Sequence, residues 1–193
     1  MIEDKLTRTK YAAKIFNSNL KEAHTSKVTP NFPNKTLISK AIIMNEVVIQ
    51  RQLEHEHIVK LHEVCETETK IVIVLEYVEG SRLLDYVIKY SPFTEKKSII
   101  MMKQLLEATI YLHKKGFIHR DLKLENIMIA DEGENSDKIT LKILDFGLSA
   151  SADNSDFLKK SGTPGYLAPE IFLAEPYTNK VDVFSLGVVL YTL

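Results

Sequence analysis

Apolar and polar positions alternate with a strand period near the start of this chain and recur with a helical period later. The run from Lys10 to Phe16 predicts a strand, and Ser39 to about Leu53 predicts a helix. Leu61 to Glu66 and Lys70 to Tyr77 read as a hairpin across Thr67-Glu68-Thr69. Tyr77-Val78-Glu79-Gly80 then marks a hinge. Ser81 and Thr94 are expected N-caps, the second opening a helix to about Lys115, with Ile99, Met102, Leu106 and Ile110 as its core stripe. Ile127 to Ala130 and Ile139 to Leu144 predict a second hairpin, closed by the acidic loop Asp131 to Asp137. Strands come first and helices afterwards. That order predicts an α+β chain in which a small sheet domain joins a helical one.

Composition narrows the chemistry only by exclusion. The 193 residues are 45% hydrophobic, and 25 Lys and Arg nearly balance 26 Asp and Glu. Without a basic excess there is no electrostatic footprint for nucleic acid. Cys65 is the single cysteine, so no intrachain disulfide forms, and its expected role is strand packing in a reducing compartment. The first residues lack a signal-peptide core, and the apolar run from Val183 is too short to span a bilayer. A cytoplasmic location, or a nuclear one, is the expectation.

The chemistry sits in His119-Arg120-Asp121-Leu122-Lys123-Leu124-Glu125-Asn126, which places a base, a cation and a metal ligand in one short run. Asp145-Phe146-Gly147 follows the strand Ile139 to Leu144, so its carboxylate stands at a strand end. Ala168-Pro169-Glu170 comes next, after Gly162-Thr163-Pro164-Gly165-Tyr166. Upstream, Tyr11-Ala12-Ala13-Lys14-Ile15-Phe16 precedes a helical segment that contains Glu46. Read singly, each is an ordinary turn or a solvated charge. In this order the chain resembles a eukaryotic protein kinase of the serine/threonine type.

The resemblance implies a bilobal fold: a small β-sheet lobe with one helix over residues 1–79, and a mainly helical lobe over 80–193, both incomplete. It implies ATP and magnesium as cofactors and protein Ser/Thr hydroxyls as substrate. Asp121 would take the hydroxyl proton, and Lys123 would steady the transferring phosphate. Lys14, paired with Glu46, would hold the α and β phosphates, while Asn126 and Asp145 would ligate magnesium. Behind the gatekeeper Leu75, the Glu76 carbonyl and Val78 amide would meet adenine, sandwiched by Ala12 and Met128. The run from Gly162 to Glu170 is most similar to the calcium/calmodulin-dependent group, and any calmodulin-binding segment would lie beyond Leu193. Arg120 would bind a loop phosphate, yet Lys159 stands at the aligned phosphosite; Ser155 and Ser161 remain as sites. Arg82 replaces an acidic residue, which weakens a preference for basic substrates, and Glu125 keeps one carboxylate for them.

Three departures from the family pattern bear on activity. Gln50 stands where an apolar residue stacks with Leu61, Phe146 and His119, and an unsatisfied buried amide costs about 1 to 3 kcal/mol. The first glycine is Gly80, so a Gly-rich loop ahead of Lys14 has no counterpart, a loss of roughly two to four decades in transition-state stabilisation if two charge-assisted bonds go. The helix opened by Asp182 runs to Leu193, and Val183, Leu186, Val189 and Leu190 are expected to lie uncovered. An enzyme, a noncatalytic kinase-like binding module and an inactive fragment of a longer kinase are the three readings left.

Overall fold

The computed structural model describes residues 1–17, 40–131, 138–152, 161–173 and 175–193. Its small sheet has the order β1-β2-β4-β3, built from β1 (Ile2–Glu3), β2 (Lys10–Asn17), β3 (Leu61–Glu66) and β4 (Lys70–Glu76), all antiparallel. Alternation along β4 turns Ile71, Ile73 and Leu75 inward, where α1 (Lys40–Gln50) lays Ile43 and Val47 against them. These residues and Val59 form the small lobe's core. Cys65 does not join it. Val64 takes the inward position on β3 and Cys65 the exposed one, because successive strand residues face opposite sides.

The larger core lies beyond the hinge, among α2 (Leu83–Tyr90), α3 (Glu95–Lys114) and α5 (Lys180–Thr192), with β7 (Ile127–Asp131) and β8 (Ile139–Ile143) across it. β5 (Ser81–Arg82) completes a sheet of order β5-β7-β8, and β6 (Phe117–Ile118) pairs with β9 (Ala150–Ser151). Short elements η1 (Leu124–Asn126) and α4 (Pro169–Phe172) fill the loops. Gly80 joins the lobes at φ 146°, where a Cβ would come within 2.1 Å of the Ile129 carbonyl oxygen, so only glycine fits there.

Thr94 caps α3 as expected, its hydroxyl accepting from the Lys97 amide. Ser81 does not cap α2. Pairing with Ile129 draws it into β5, and Arg82 takes the cap position with no side-chain bond. The core stripe of α3 is also displaced. Met101, Met102, Leu105, Ala108 and Leu112 are buried, whereas Ile99, Leu106 and Ile110 are exposed. Both sets have helical spacing; β8 and α5 pack on the first, and Gln104 beside it clamps β8 through the Ile139 carbonyl and Leu141 amide, both at 2.7 Å. In α5, Leu186 and Val189 are buried against this core, while Val183 and Leu190 are exposed. No helix among the described residues is long and apolar enough to cross a membrane.

Candidate active site

The loop from His119 to Asn126 takes its shape from a carboxylate far along the chain. Asp182, in the first turn of α5 and fully buried, accepts from the His119 amide at 2.9 Å and the Arg120 amide at 2.8 Å, and pairs with His113 Nε2 at 2.8 Å. This grip holds Arg120 at φ 66°, a left-handed conformation that a non-glycine residue adopts only when its surroundings impose it. His119 Nε2 donates to the Leu144 carbonyl at 3.0 Å, which leaves Nδ1 to accept from the Asp121 amide at 3.3 Å. Its ring meets Phe146 edge-on, with centroids 5.0 Å apart.

Within that loop, Asp121, Lys123 and Asn126 come together as the sequence predicts. Lys123 Nζ lies 2.8 Å from Asp121 Oδ2, and Asn126 Nδ2 donates at 2.9 Å to both Oδ2 and the Asp121 carbonyl. A fourth member, Thr163, completes the group: it donates to Asp121 Oδ1 at 2.6 Å and accepts from Lys123 Nζ at 2.6 Å. The sequence offered only its place in the Gly-Thr-Pro-Gly run, with no sign that it reaches the carboxylate. A hydroxyl therefore already donates to Asp121, in the geometry general-base chemistry needs.

Arg120, the expected ligand of a loop phosphate, bonds within the protein through two of its guanidinium nitrogens. Nε donates to the Leu148 carbonyl at 2.6 Å and Nη1 to the Tyr177 hydroxyl at 3.0 Å. Ser155 and Lys159 fall outside the described residues, as does most of the acidic loop before β8. Ser161 is described, with its hydroxyl oxygen buried and without a hydrogen-bond partner.

A second cluster spans the lobes. Lys14, opposite Ile73 in the β2–β4 ladder, reaches Glu46 Oε1 at 2.6 Å and Asp145 Oδ1 at 2.8 Å. Burial pulls the lysine pKa down, but the two carboxylates outweigh that and hold it above its ordinary value. Burial pushes the Glu46 carboxyl up, only partly offset by Lys14. For Asp145 burial also pushes upward, and here Lys14 and the Gly147 amide win, holding the carboxyl low. Asp145 sits at φ 57°, and a Cβ on Gly147 would lie 3.2 Å from its Oδ1 and 3.5 Å from Glu46 Oε2, so the glycine leaves room for both carboxylates.

Both clusters face one cavity of about 600 Å³, bounded by Lys14, Phe16, Ile43, Glu46, Asp121 and Asp145. The Pkinase family model, the protein kinase domain, matches residues 2–193. The chain belongs to the protein kinase family. It is 38% identical over 160 residues to the probable serine/threonine-protein kinase 2 of Plasmodium falciparum, covering 83% of this chain and 31% of that protein. Human calcium/calmodulin-dependent protein kinase type IV is 40% identical over 160 residues, covering 82% and 33%, and the type 1 kinase of Macrobrachium nipponense 40% over 149, covering 77% and 42%. This chain thus spans between about a third and two fifths of the length of these relatives.

The remaining kinase positions are not among the residues that line that cavity. Ala12 pairs with Leu75 across the small sheet, Val78 packs at the edge of the small core, and Met128 stands on β7 opposite Arg82 and Lys142. Glu76 ends β4, where its carboxylate meets Lys142 Nζ at 2.8 Å, a contact across the hinge that no motif signalled. Gln50 is buried as expected, but only half satisfied: Nε2 donates to the Val59 carbonyl at 3.2 Å, and Oε1 has no partner.

The donor set suits magnesium held together with phosphates. Asn126 spends its amide nitrogen on Asp121, which orients the amide oxygen as the free acceptor, and Asp145 adds a half-exposed carboxylate. Both are hard oxygen donors. Among the described residues no group of three or more His, Cys, Asp or Glu surrounds a metal position.

Proposed function

We propose that this protein is an ATP- and magnesium-dependent protein kinase that phosphorylates Ser and Thr hydroxyls. The observation that carries it is the Lys14–Glu46–Asp145 cluster facing Asp121 across a single cavity. Asp121 accepts the proton of the substrate hydroxyl from the position in which it accepts a hydrogen bond from Thr163 in the resting site. Lys123 neutralises charge beside it, and Lys14, oriented by Glu46, binds the α and β phosphates. Asn126 and Asp145 hold magnesium, which supplies charge neutralisation between the phosphates. The Glu76 carbonyl and Val78 amide anchor adenine between Ala12 and Met128.

Lys123 supports Ser/Thr rather than Tyr transfer. Similarity to calcium/calmodulin-dependent kinases supports calmodulin, or a regulator like it, as a partner. The lone cysteine supports a reducing compartment, cytoplasm or nucleus. The test is transfer of labelled γ-phosphate from ATP to Ser/Thr peptides by the full chain. ATP binding without any transfer would instead favour a noncatalytic module.

A further inference from the structure

The residue before Glu46 makes a contact that the phosphate-binding cluster does not explain. Asn45 Nδ2 donates to the Ser149 carbonyl at 2.9 Å, joining α1 of the small lobe to the segment just past Asp145-Phe146-Gly147. Ser149 is a fixed anchor. It is fully buried, its amide donates to the Phe146 carbonyl at 3.0 Å, its hydroxyl donates to the His119 carbonyl at 3.3 Å, and the next residue, Ala150, pairs with Ile118 in the β6–β9 ladder. Asn45 lies at the middle of α1, and at the helix's C-terminal end Gln50 holds the Val59 carbonyl. The helix is therefore pinned at two points, one to the segment just past Asp145-Phe146-Gly147 and one to Val59 in the small lobe's own core.

From this we infer that Asn45 is a positioning residue: its bond to the Ser149 carbonyl sets the rotation of α1 that keeps Glu46 on Lys14. The inference rests on the kinase reading, because it assigns Asn45 an effect through the nucleotide-binding pair. Adjacent residues of a helix turn together, so any swing of α1 that breaks the Asn45 bond also withdraws Glu46 from Lys14. Lys14 Nζ then keeps only Asp145, and the lysine is no longer held between two carboxylates in the cavity. Asn45 hydrogen-bonds Ser149 and neither Lys14 nor Asp145, so its influence travels through Glu46.

The consequence is a cost in the competent population, which ATP can restore by binding. Asn45→Leu, similar in shape but without a donor, should raise the KM for ATP about fivefold while kcat changes less than twofold. Asn45→Gln, which keeps an amide donor, should recover at least half of that loss. In a Glu46→Gln background, Asn45→Leu should add nothing, since the route is already cut. ATP affinity by calorimetry on the full chain gives the same comparison without turnover. Equal additive losses in the double variant, or an unchanged KM in Asn45→Leu with wild-type binding intact, overturn the inference alone. Wild-type protein that binds no ATP overturns the kinase reading and the inference with it. If Asn45→Leu fails to fold, Asn45→Ala, which also lacks the donor, carries the same cycle with Glu46→Gln.

Discussion

The two charged clusters that face the cavity are built in opposite ways. Asp121, Lys123 and Asn126 lie within six residues of one another, with Thr163 closing over them, and Asp121 and Asn126 are both buried. Lys14, Glu46 and Asp145 come from three distant parts of the chain, separated by 32 and 131 positions, and Asp145 remains half-exposed. The first cluster is locally encoded and held from below by Asp182. The second exists only when β2, α1 and the loop after β8 are correctly docked. On the proposed kinase reading, chemistry rests on the local group and nucleotide binding on the contingent one, so a shift of one lobe against the other would act on nucleotide binding first.

Breaking the rigid cluster should have the largest effect. Asp121→Asn keeps the shape but removes the base, and should lower phosphate transfer by about 10² to 10⁴-fold with ATP affinity little changed. Below the cluster, Asp182→Ala strips the acceptor from two buried amides and His113, and should cost about 3 to 5 kcal/mol by denaturant unfolding. Loss of the left-handed Arg120 turn goes with it.

The contingent cluster should show itself in pH dependence. Glu46 has a pKa raised by burial, so as pH falls it binds a proton before an ordinary glutamate does, and the Lys14–Glu46 ion pair is lost with that proton. Asp145 is depressed, so its contribution to stability, present above 3.8, is lost only as pH falls through its lower folded value. Lys14 is raised, so its contribution holds below 10.5 and is lost as pH rises through the higher folded value. KM for ATP should therefore climb in mild acid before the protein unfolds, and Glu46→Gln should flatten that climb. A KM whose acid limb survives Glu46→Gln would show that another group titrates.

Gln50→Leu should give the smallest change. It removes a buried carbonyl oxygen that has no partner and gives up one 3.2 Å bond to Val59, for a net gain of about 1 kcal/mol. A rise of a few degrees in Tm reads this out; a fall would show that the Val59 bond outweighs the orphaned oxygen.

What the sequence revealed follows the same division. Short motifs with fixed spacing exposed Asp121, Lys123 and Asn126, because these groups act together and are close in the chain; Asp145 showed through its own Asp-Phe-Gly tripeptide, although its partners are distant. Lys14 and Glu46 came from resemblance and register, not from their own patterns. Alternation and capping placed β2 to β4 and α3 within a residue or so, since those signals are local. The buried face of α3 was misread because apolar residues at helical spacing occur on two sides of it, and only the docking of β8 and α5 selects Met101, Leu105 and Leu112. Thr163, Lys142 and Asn45 act through contacts across the fold, so nothing near them in the sequence announced their partners.

The most direct test of this division measures ATP binding and phosphate transfer in parallel for wild type, Lys14→Met and Asp121→Asn. Lys14→Met should lose both, whereas Asp121→Asn should keep ATP affinity within about threefold and lose transfer. An Asp121→Asn protein that loses ATP binding as severely as Lys14→Met, or one that still transfers phosphate at the wild-type rate, would contradict the account.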